Sequence, residues 1–231
     1  MERRSLIAEQ RAFAIPFAAF VALGAWLMSA YSKADIHLAV DAHHFGAADV
    51  FFAWITWLGD GWTPTLLVIL LLFVRYRLAL AVALANITAS LVVQVLKNLF
   101  FRDVVRPLEY FRGTHTLHLV QGVEVYSYHS FPSGHAGVAF ATCWCLAMMV
   151  RSGVAKAALF VLALAIAFSR VYLSEHFFQD IYAGALMGFF CAWGISELLE
   201  RKGSRALWTW MEGSIRLPWM GRMTSRDAHE M

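Results

Sequence analysis

Six stretches of the chain contain no Asp, Glu, Lys or Arg and are rich in apolar residues, a pattern that strongly limits the possible folds. They are Ala12 to Tyr31, Trp62 to Val74, Leu78 to Leu96, Ala136 to Val150, Ala157 to Ser169 and Ile181 to Ser196. A helix that crosses a bilayer needs about 20 mostly apolar residues. With 60% hydrophobic residues and a mean hydropathy of +0.58, the composition excludes an ordinary soluble domain. We therefore predict an all-α integral membrane protein, a bundle of six transmembrane helices that occupies 1–231 as one domain.

Two of the predicted spans are short for a full crossing of the bilayer. Trp62 to Val74 and Ala136 to Val150 are each expected to continue into flanking residues such as Gly61 and Gly134. The first stretch follows two arginines, so a cleaved signal peptide is the alternative to a first span. Its apolar region is longer than the usual length of about 7 to 15 residues, and no small-x-small cleavage site follows it. We therefore interpret it as a membrane helix.

Lysine and arginine are unevenly distributed between the two sides of the predicted bundle. With the N-terminus inside, the inner segments hold thirteen of the nineteen, namely Arg3, Arg4, Arg11, Arg75, Arg77, Arg151, Lys156, Arg201, Lys202, Arg205, Arg216, Arg222 and Arg226. Cytoplasmic loops are enriched in these residues. We therefore predict a multi-pass protein of the plasma (inner) membrane with both termini in the cytoplasm. The last part, 201–231, then forms a basic and aromatic tail suited to an anionic leaflet and not to nucleic acid.

Two long segments, Ser32 to Gly61 and Lys97 to Ser133, are expected on the outer side. The first carries aromatic and acidic residues and is predicted to lie partly in the membrane interface as an amphipathic helix. It also contains His43 and His44, a residue type that binds zinc, but no partners at ligand spacing accompany them. We interpret them as structural, as we do the histidines outside the motifs described below, which are His37, His115, His118, His129 and His229.

Polar and ionisable residues at the ends of the predicted spans share this outer side. They are Lys97, Arg106, Ser133, His135, Arg170, His176 and Asp180. Residues of this kind close to membrane spans are candidates for function. Three cations and a serine hydroxyl match the oxygens of a phosphate group, as do the first amides of a helix that begins between Pro132 and His135.

His176 and Asp180 are spaced i, i+4, which places both on one face of the sixth helix if that helix begins at His176. A carboxylate bonded to one ring nitrogen fixes the tautomer and leaves the other nitrogen as a nucleophile. His135 is then free to act as a general acid. Glu175 is expected to point to a different helix face and receives no catalytic role.

With these residues, the chain resembles the type 2 phosphatidic acid phosphatase family, which shares its site with the vanadium haloperoxidases. The family's second motif, PSGH, stands here as Pro132, Ser133, Gly134 and His135. Its third motif, in which five residues separate Ser-Arg from His and three separate His from Asp, stands as Ser169, Arg170, His176 and Asp180. The resemblance covers about 62–199 and implies the helical bundle fold of that family.

The first motif departs from the family's pattern of a lysine, six residues and Arg-Pro. Here eight residues separate Lys97 from Arg106 and Pro107. The strict spacing would place Val104 at the arginine position, where it could not bind phosphate. We therefore assign Arg106 by its Arg-Pro pair, with a two-residue bulge in the loop, and keep Arg102 as the alternative.

The resemblance implies a metal-independent phosphatase that needs no cofactor. In the implied reaction His176, oriented by Asp180, attacks phosphorus to give a phosphohistidine, His135 protonates the leaving oxygen, and water hydrolyses the intermediate. The residues implied to hold the phosphate oxygens are Lys97, Arg106, Ser133, Gly134 through its amide, and Arg170.

A site at the outer membrane surface favours a lipid whose phosphate lies at headgroup depth. The range of the family offers undecaprenyl diphosphate, phosphatidylglycerol phosphate, phosphatidate and the phosphates of lipid A, and no residue here selects one of them. The expected partners are this substrate and the membrane lipids. Two alternatives remain, a lipid phosphotransferase that uses the same site and an anion-binding or transport protein without catalysis.

Overall fold

The computed structural model describes residues 6–201 and 209–215, and the regular secondary structure of this part of the chain is helical. The helices are α1 (Leu6–Glu9), α2 (Arg11–Ala30), α3 (Lys33–Asp41), α4 (Gly46–Ile55), α5 (Trp62–Leu72), α6 (Tyr76–Leu99), α7 (Pro107–Tyr110), α8 (Gly134–Met149), α9 (Gly153–Tyr172) and α10 (Phe178–Arg201). A 3-10 helix, Thr56–Gly59, lies between α4 and α5. The prediction of an all-α fold is confirmed.

Each of the six predicted spans corresponds to one helix, namely α2, α5, α6, α8, α9 and α10. Among the described residues, four of these, α2, α6, α9 and α10, are long and apolar enough to cross a membrane. The pair Gly46–Gly59 and Trp62–Leu72, bent by 55°, adds a fifth crossing if it is one broken span. Helix α8 has only 16 residues. A multi-pass membrane protein is therefore confirmed, and the count of six spans stays a prediction.

The segment predicted as an interfacial helix, Ser32 to Gly61, holds two separate α-helices. The first of them, α3, begins at a capping box. The Ser32 hydroxyl accepts a hydrogen bond from the amide of Asp35, and the Asp35 carboxylate accepts one from the amide of Ser32. The second helix, α4, continues through the 3-10 turn toward α5. Gly61 precedes α5 and is not part of it, whereas Gly134 is the first residue of α8.

Helix α8 lies at the centre of the bundle, against α6, α9 and α10. Eleven of its residues are buried, as expected for a helix that is apolar on every side. Its Trp144 packs edge-on against Phe13 of α2 and Phe189 of α10, and Phe17 stacks on Phe189 with ring centroids 4.0 Å apart.

Large apolar side chains on the outer faces of the long helices are exposed. Leu23 on α2, Ile87 and Leu91 on α6, and Val161 on α9 are each more than 60% exposed. Exposed apolar surface on this scale, all around the bundle, is typical of helices that contact lipid.

Helices α8 and α10 cross at two glycines of α10. A Cβ atom at Gly184 would overlap the carbonyl oxygen of Ser133, and one at Gly188 would overlap the carbonyl oxygen of Gly137. Small residues at a crossing let two backbones approach closely, which is a common way for membrane helices to pack. This close approach brings the beginning of α8 against the first turns of α10.

Gly188→Ala is expected to lower the thermal stability of the protein in detergent. The added methyl group meets backbone and forces the two helices apart, at a cost of about 1 to 3 kcal/mol. The matched control is Gly194→Ala on the same helix, where a Cβ atom meets nothing within 4 Å. That control should melt at the wild-type temperature or higher, because alanine favours helix over glycine. Equal melting temperatures for the two variants would contradict this account of the crossing.

Most of the predicted cytoplasmic tail lies outside the described residues, including Trp208, Arg216, Trp219, Arg222 and Arg226. The described piece, 209–215, packs against the turn between α5 and α6. The amide of Tyr76 donates to the carbonyl of Gly213, and the amide of Ile215 donates to the carbonyl of Leu72, both at 2.9 Å. The contact of the tail with an anionic leaflet stays a prediction.

Candidate active site

Four helix ends bring the predicted site residues to one side of the bundle. Lys97 lies in the last turn of α6 and Arg170 in the last turn of α9, while Ser133 precedes the first residue of α8 and Asp180 lies in the first turn of α10. Lys97 interacts electrostatically with Arg106, Arg170 and Asp180. The three stretches of sequence that carry the motifs therefore converge, as the sequence predicts.

The beginning of α8 is buried in this region. The Ser133 hydroxyl accepts a hydrogen bond from the amide of Ala136, and the amide of Ser133 donates to the carbonyl of Asp180 at 3.0 Å. Gly134 is the first helical residue, so its amide has no acceptor inside the helix and lies at the positive end of the helix dipole. The helix start lies within the predicted interval, and the Gly134 amide is suited to bind an anion there.

His176 and Asp180 are joined by a hydrogen bond between Nδ1 and Oδ2 at 3.4 Å. The predicted reason for their proximity is wrong, because α10 begins at Phe178 and His176 lies in the turn before it. Asp180 instead turns back over the helix N-terminus, where Oδ2 also accepts from the amide of Phe177 at 2.9 Å and from the Ser130 hydroxyl. The carboxylate is fully buried. The His176 ring, the Phe177 amide and the Ser130 hydroxyl together hold it in position.

The hydrogen bond to Asp180 sets the protonation of the His176 ring. An ionised carboxylate only accepts, so Nδ1 carries the proton and Nε2 keeps its lone pair. Burial lowers the pKa of His176 well below its ordinary value, and the nearby charges of Arg106, Arg170 and Lys97 lower it further. The ring is therefore neutral near pH 7, which is the form that can act as a nucleophile.

Arg106, and not Arg102, reaches the site. Its guanidinium Nε donates to the carbonyl of Tyr128 at 2.8 Å, and its amide donates to the carbonyl of Ser127 at 2.8 Å. Arg106 is 9% exposed, whereas Arg102 lies on the surface. Val104, at the strict family position, contributes only its backbone, whose carbonyl accepts from the amide of Ser130. The extra residues form a turn after α6 that carries Arg106 inward.

Glu175 lies between the two arginines, a position that sequence reasoning missed. Its carboxylate forms ion pairs with Arg106 Nη1 and, at 3.3 Å, with Arg170 Nη2, and the residue is 1% exposed. The amides of Glu175 and His176 both donate to the carbonyl of Arg170, in a turn where Ser174 has φ +56°. Because this turn precedes α10, the helical spacing used for Glu175 does not apply, and its side chain faces the arginines.

His135 and Arg170 have partners on the connection between α4 and α5. His135 Nε2 lies 3.0 Å from Asp60 Oδ1, and Arg170 Nη1 donates to the Thr56 hydroxyl at 2.8 Å. A Cβ atom at Gly59 would approach the His135 ring to 3.0 Å. A glycine at this position therefore lets the connection between α4 and α5 pack closely against the His135 ring. Asp60 and Thr56 are far from the motifs in sequence, and no local spacing signals either of them.

A surface cavity of about 620 Å³ opens onto this group of residues. Its polar lining includes Asp60, His135, Arg170 and Glu175. Trp54, Trp57 and Tyr126 form its aromatic part. The arrangement therefore joins a polar, hydrogen-bonding interior that includes the Arg170 guanidinium to an aromatic rim, which suits a ligand with an anionic head and an apolar body.

Comparison with known proteins places the chain in a family. The family model of the PAP2 superfamily matches residues 76–204, which is more than half of the chain and includes every site residue predicted from the sequence. The crystal structure of LpxE from Aquifex aeolicus is similar with a TM-score of 0.62 and 27% identity, over 71% of this chain and 93% of that one.

A second solved structure shows the same fold. The first transmembrane PAP2 type phosphatidylglycerolphosphate phosphatase from Bacillus subtilis is similar with a TM-score of 0.60 and 20% identity. The similarity extends over 85% of this chain and 98% of that one. No curated protein matches the chain.

Proposed function

This chain belongs to the PAP2 superfamily, and from that premise we propose that it is a membrane lipid phosphatase that works through a phosphohistidine on His176. The observation that carries the proposal is the convergence of a buried His176–Asp180 pair with Arg106 and Arg170. Binding a phosphate group requires cations and hydrogen-bond donors but no nucleophile. The oriented, neutral imidazole beside them supports chemistry, and so favours a phosphatase over an anion-binding or transport protein.

The first step is transfer of the phosphoryl group to the enzyme. The lone pair of His176 Nε2 forms a bond to phosphorus while the bond from phosphorus to the lipid oxygen breaks. His135 gives a proton to that leaving oxygen as general acid. Asp180 stabilises the cationic ring that results, and the phosphate oxygens are held by the residues that converge on the site, Lys97, Arg106, Ser133, Gly134 and Arg170.

The second step regenerates the enzyme. His135, now neutral, accepts a proton from water as the water oxygen attacks phosphorus and the bond to His176 Nε2 breaks. Inorganic phosphate leaves, and both histidines return to their initial states. Asp60, 3.0 Å from His135 Nε2, is suited to hold the His135 ring in position.

We also propose that the site faces the outside of the plasma membrane. The site lies at the C-terminal end of α6 and the N-terminal end of α8. The basic residues Arg75 and Arg77 lie at the other end of α6, and Arg151 follows the other end of α8. Basic residues of short loops favour the cytoplasmic side. The opposite ends of these helices, which carry the site, are then outside.

An apolar groove beside the site supports a lipid substrate. It lies between α5, α8 and α9, has a volume of about 340 Å³, and is lined by residues such as Trp62, Leu66 and Ile166. Its lining includes Leu58 and Trp62, which flank Asp60 of the polar cavity in sequence. Burial of the methylene groups of a lipid chain in such a groove contributes affinity.

The test is phosphate release by detergent-purified protein from four lipids, with and without EDTA. The lipids are undecaprenyl diphosphate, phosphatidylglycerol phosphate, phosphatidate and a lipid A phosphate. We expect release from at least one lipid that persists in EDTA, and the relative rates identify the headgroup. Mass analysis of the products separates hydrolysis from transfer, because a phosphotransferase yields a newly phosphorylated lipid and little free phosphate. Absence of both products from all four lipids would overturn the proposal.

Glu175 is proposed as a positioning residue of this reaction. Its carboxylate contacts both arginines and holds their guanidinium groups side by side before the substrate binds. A phosphate carries more negative charge than a carboxylate, so it can take over part of the donors of both arginines. Burial raises the pKa of Glu175, while the charges of Arg170 and Arg106 act to lower it.

Glu175→Ala is expected to lower kcat/KM by about 10- to 100-fold, because two phosphate-binding groups lose their common anchor. Glu175→Gln keeps the shape and one acceptor, so it should retain most of the activity. It should also bind inorganic phosphate more tightly than the wild type, because a competing negative charge is removed. Glu124→Ala is the matched control, since Glu124 lines the same cavity but is exposed. The positioning role is contradicted if the Ala and Gln variants of Glu175 lose the same activity.

A further inference from the structure

A second cluster of potential ligands lies outside the active site, at the outer side of α4. His44, Asp49 and His118 each offer one ligand atom, and these atoms all lie within 4.8 Å of one another. His44 precedes α4, Asp49 lies in its first turn, and His118 comes from the loop between α7 and α8. From the sequence we predict a structural role for His44, because no partners at ligand spacing accompany it, and for His118. The fold brings His118 to Asp49 and His44.

The Asp49 carboxylate lies between the two imidazole rings. Oδ1 is 3.3 Å from His44 Nδ1, and Oδ2 is 3.0 Å from His118 Nε2. The two rings lie with their centroids 4.4 Å apart. The Tyr172 hydroxyl donates to Asp49 Oδ1 at 2.6 Å and so fixes the orientation of the carboxylate. Two nitrogens and a carboxylate therefore converge from two segments of the chain, residues 44–49 and the loop that carries His118.

We propose that His44 Nδ1, Asp49 and His118 Nε2 bind a zinc ion. Two imidazole nitrogens and one carboxylate are a ligand set that zinc accepts, with bonds of about 2.0 to 2.2 Å to each atom. In the metal-free arrangement, protons on the two nitrogens join them to the carboxylate, and a zinc ion replaces those protons. Small side-chain rotations bring the three atoms to bonding distance, because they already surround one point.

The surroundings of the cluster fit a metal site in two further respects. His44 Nε2 is buried without a hydrogen-bond partner and lies 3.9 Å from Asp41 Oδ1, and the His44 side chain is 5% exposed. A carboxylate at the far nitrogen of a ligating histidine is the usual support of such a ligand. On the other side the cluster borders a cleft of about 540 Å³ lined by Gly46, Asp49 and His118, so water can complete a tetrahedral ion.

The ion would join the loop that carries His118 to α4 and, through Tyr172, to the end of α9. The same loop continues to Tyr126, whose ring lies over the Arg106 guanidinium, and to Ser130, which donates to Asp180. The proposed zinc has none of the phosphate-binding residues among its ligands. Its effect is therefore on the stability of this loop and not on the transfer of phosphate itself.

The test is zinc binding by tag-free protein in detergent, after EDTA has removed bound metal and the EDTA has itself been removed. Titration calorimetry and elemental analysis should give one zinc per chain, and zinc should raise the melting temperature by several degrees. His44→Ala and His118→Ala should each weaken binding by more than about 100-fold and remove that rise. His118 is an exposed loop residue, so its replacement leaves the fold intact.

His43→Ala is the matched control, because His43 adjoins His44 in sequence but has its Nδ1 atom at the carbonyl of Ala39. This variant should bind zinc like the wild type. The stripped wild-type protein should still release phosphate, which shows that it is folded. The proposal is overturned if folded wild-type protein takes up no zinc, or if zinc binds equally well to the variants at His44 and His118.

Discussion

The His176→Ala enzyme is expected to release phosphate about 10⁴-fold more slowly than the wild type, because the atom that bonds to phosphorus is lost. Residues that bind the phosphate remain, so KM should change far less than kcat. The measurement is single-turnover release from the preferred lipid, together with trapping of radiolabelled phosphate on the protein in an alkaline denaturing quench. The wild type should carry an acid-labile, alkali-stable label and the variant none.

His115→Ala is the control for loss of a histidine on the same side of the protein. His115 is exposed and its ring packs against Phe111, outside the phosphate site. The His115→Ala enzyme should release phosphate at the wild-type rate and carry the same radiolabel as the wild type. If His176→Ala releases phosphate at the wild-type rate, or keeps the label, another group is the nucleophile and the proposed mechanism fails. Equal melting temperatures of the two variants would show that the loss is chemical.

Arg106→Ala is expected to lower kcat/KM by about 10²- to 10³-fold, which is typical for the loss of one group that stabilises developing charge on a substrate oxygen. Truncation also leaves Glu175 with Arg170 as its one remaining guanidinium partner within the described residues. Arg106→Lys should restore little, because a lysine cannot bridge the Tyr128 carbonyl, Glu175 and a phosphate with a planar fork. Steady-state kinetics on the same lipid measures both variants.

Arg102→Ala is the matched control, since Arg102 lies in the same loop and is exposed. Its kcat/KM should stay within about twofold of the wild type, as is usual for surface substitutions. The opposite ranking, with the larger loss at position 102, would mean that Arg102 binds the phosphate during turnover. The comparison therefore decides which arginine completes the expanded first motif.

The helices of this protein can be predicted from the sequence because a membrane allows few alternative backbone structures. In lipid the backbone amide and carbonyl groups of a helix must form hydrogen bonds within that helix, so long charge-free stretches predict helices directly. All six predicted segments are helical, with ends that differ from the prediction by a few residues. The short helix Trp62–Leu72 is the limit of such a prediction. Its bend relative to α4 depends on packing against neighbouring helices and not on hydropathy.

The positions of the residues of motifs two and three at helix ends could likewise be predicted, because the spacing within each motif is local. His135 lies at the first turn of α8, and His176 bonds to Asp180, as expected. The reason for that bond was wrong, since the helix begins after His176. The pair is held by a helix N-terminus, where a carboxylate turns back to free amides, and helical periodicity does not describe that turn.

The sequence by itself determined an apolar helical bundle, its family and the positions of the motif residues His135, His176 and Asp180. Hydropathy and short spacings are recorded locally along the chain, so no distant contact is needed to recognise them. The tertiary structure alone decided that Glu175 joins Arg106 to Arg170 and that His118 meets Asp49. It also placed Arg106, the residue assigned from the Arg-Pro pair, in contact with Glu175. These contacts connect loops and helix ends that are distant in sequence. Their geometry follows from how the helices pack, and packing is a property of the whole bundle that no single segment encodes.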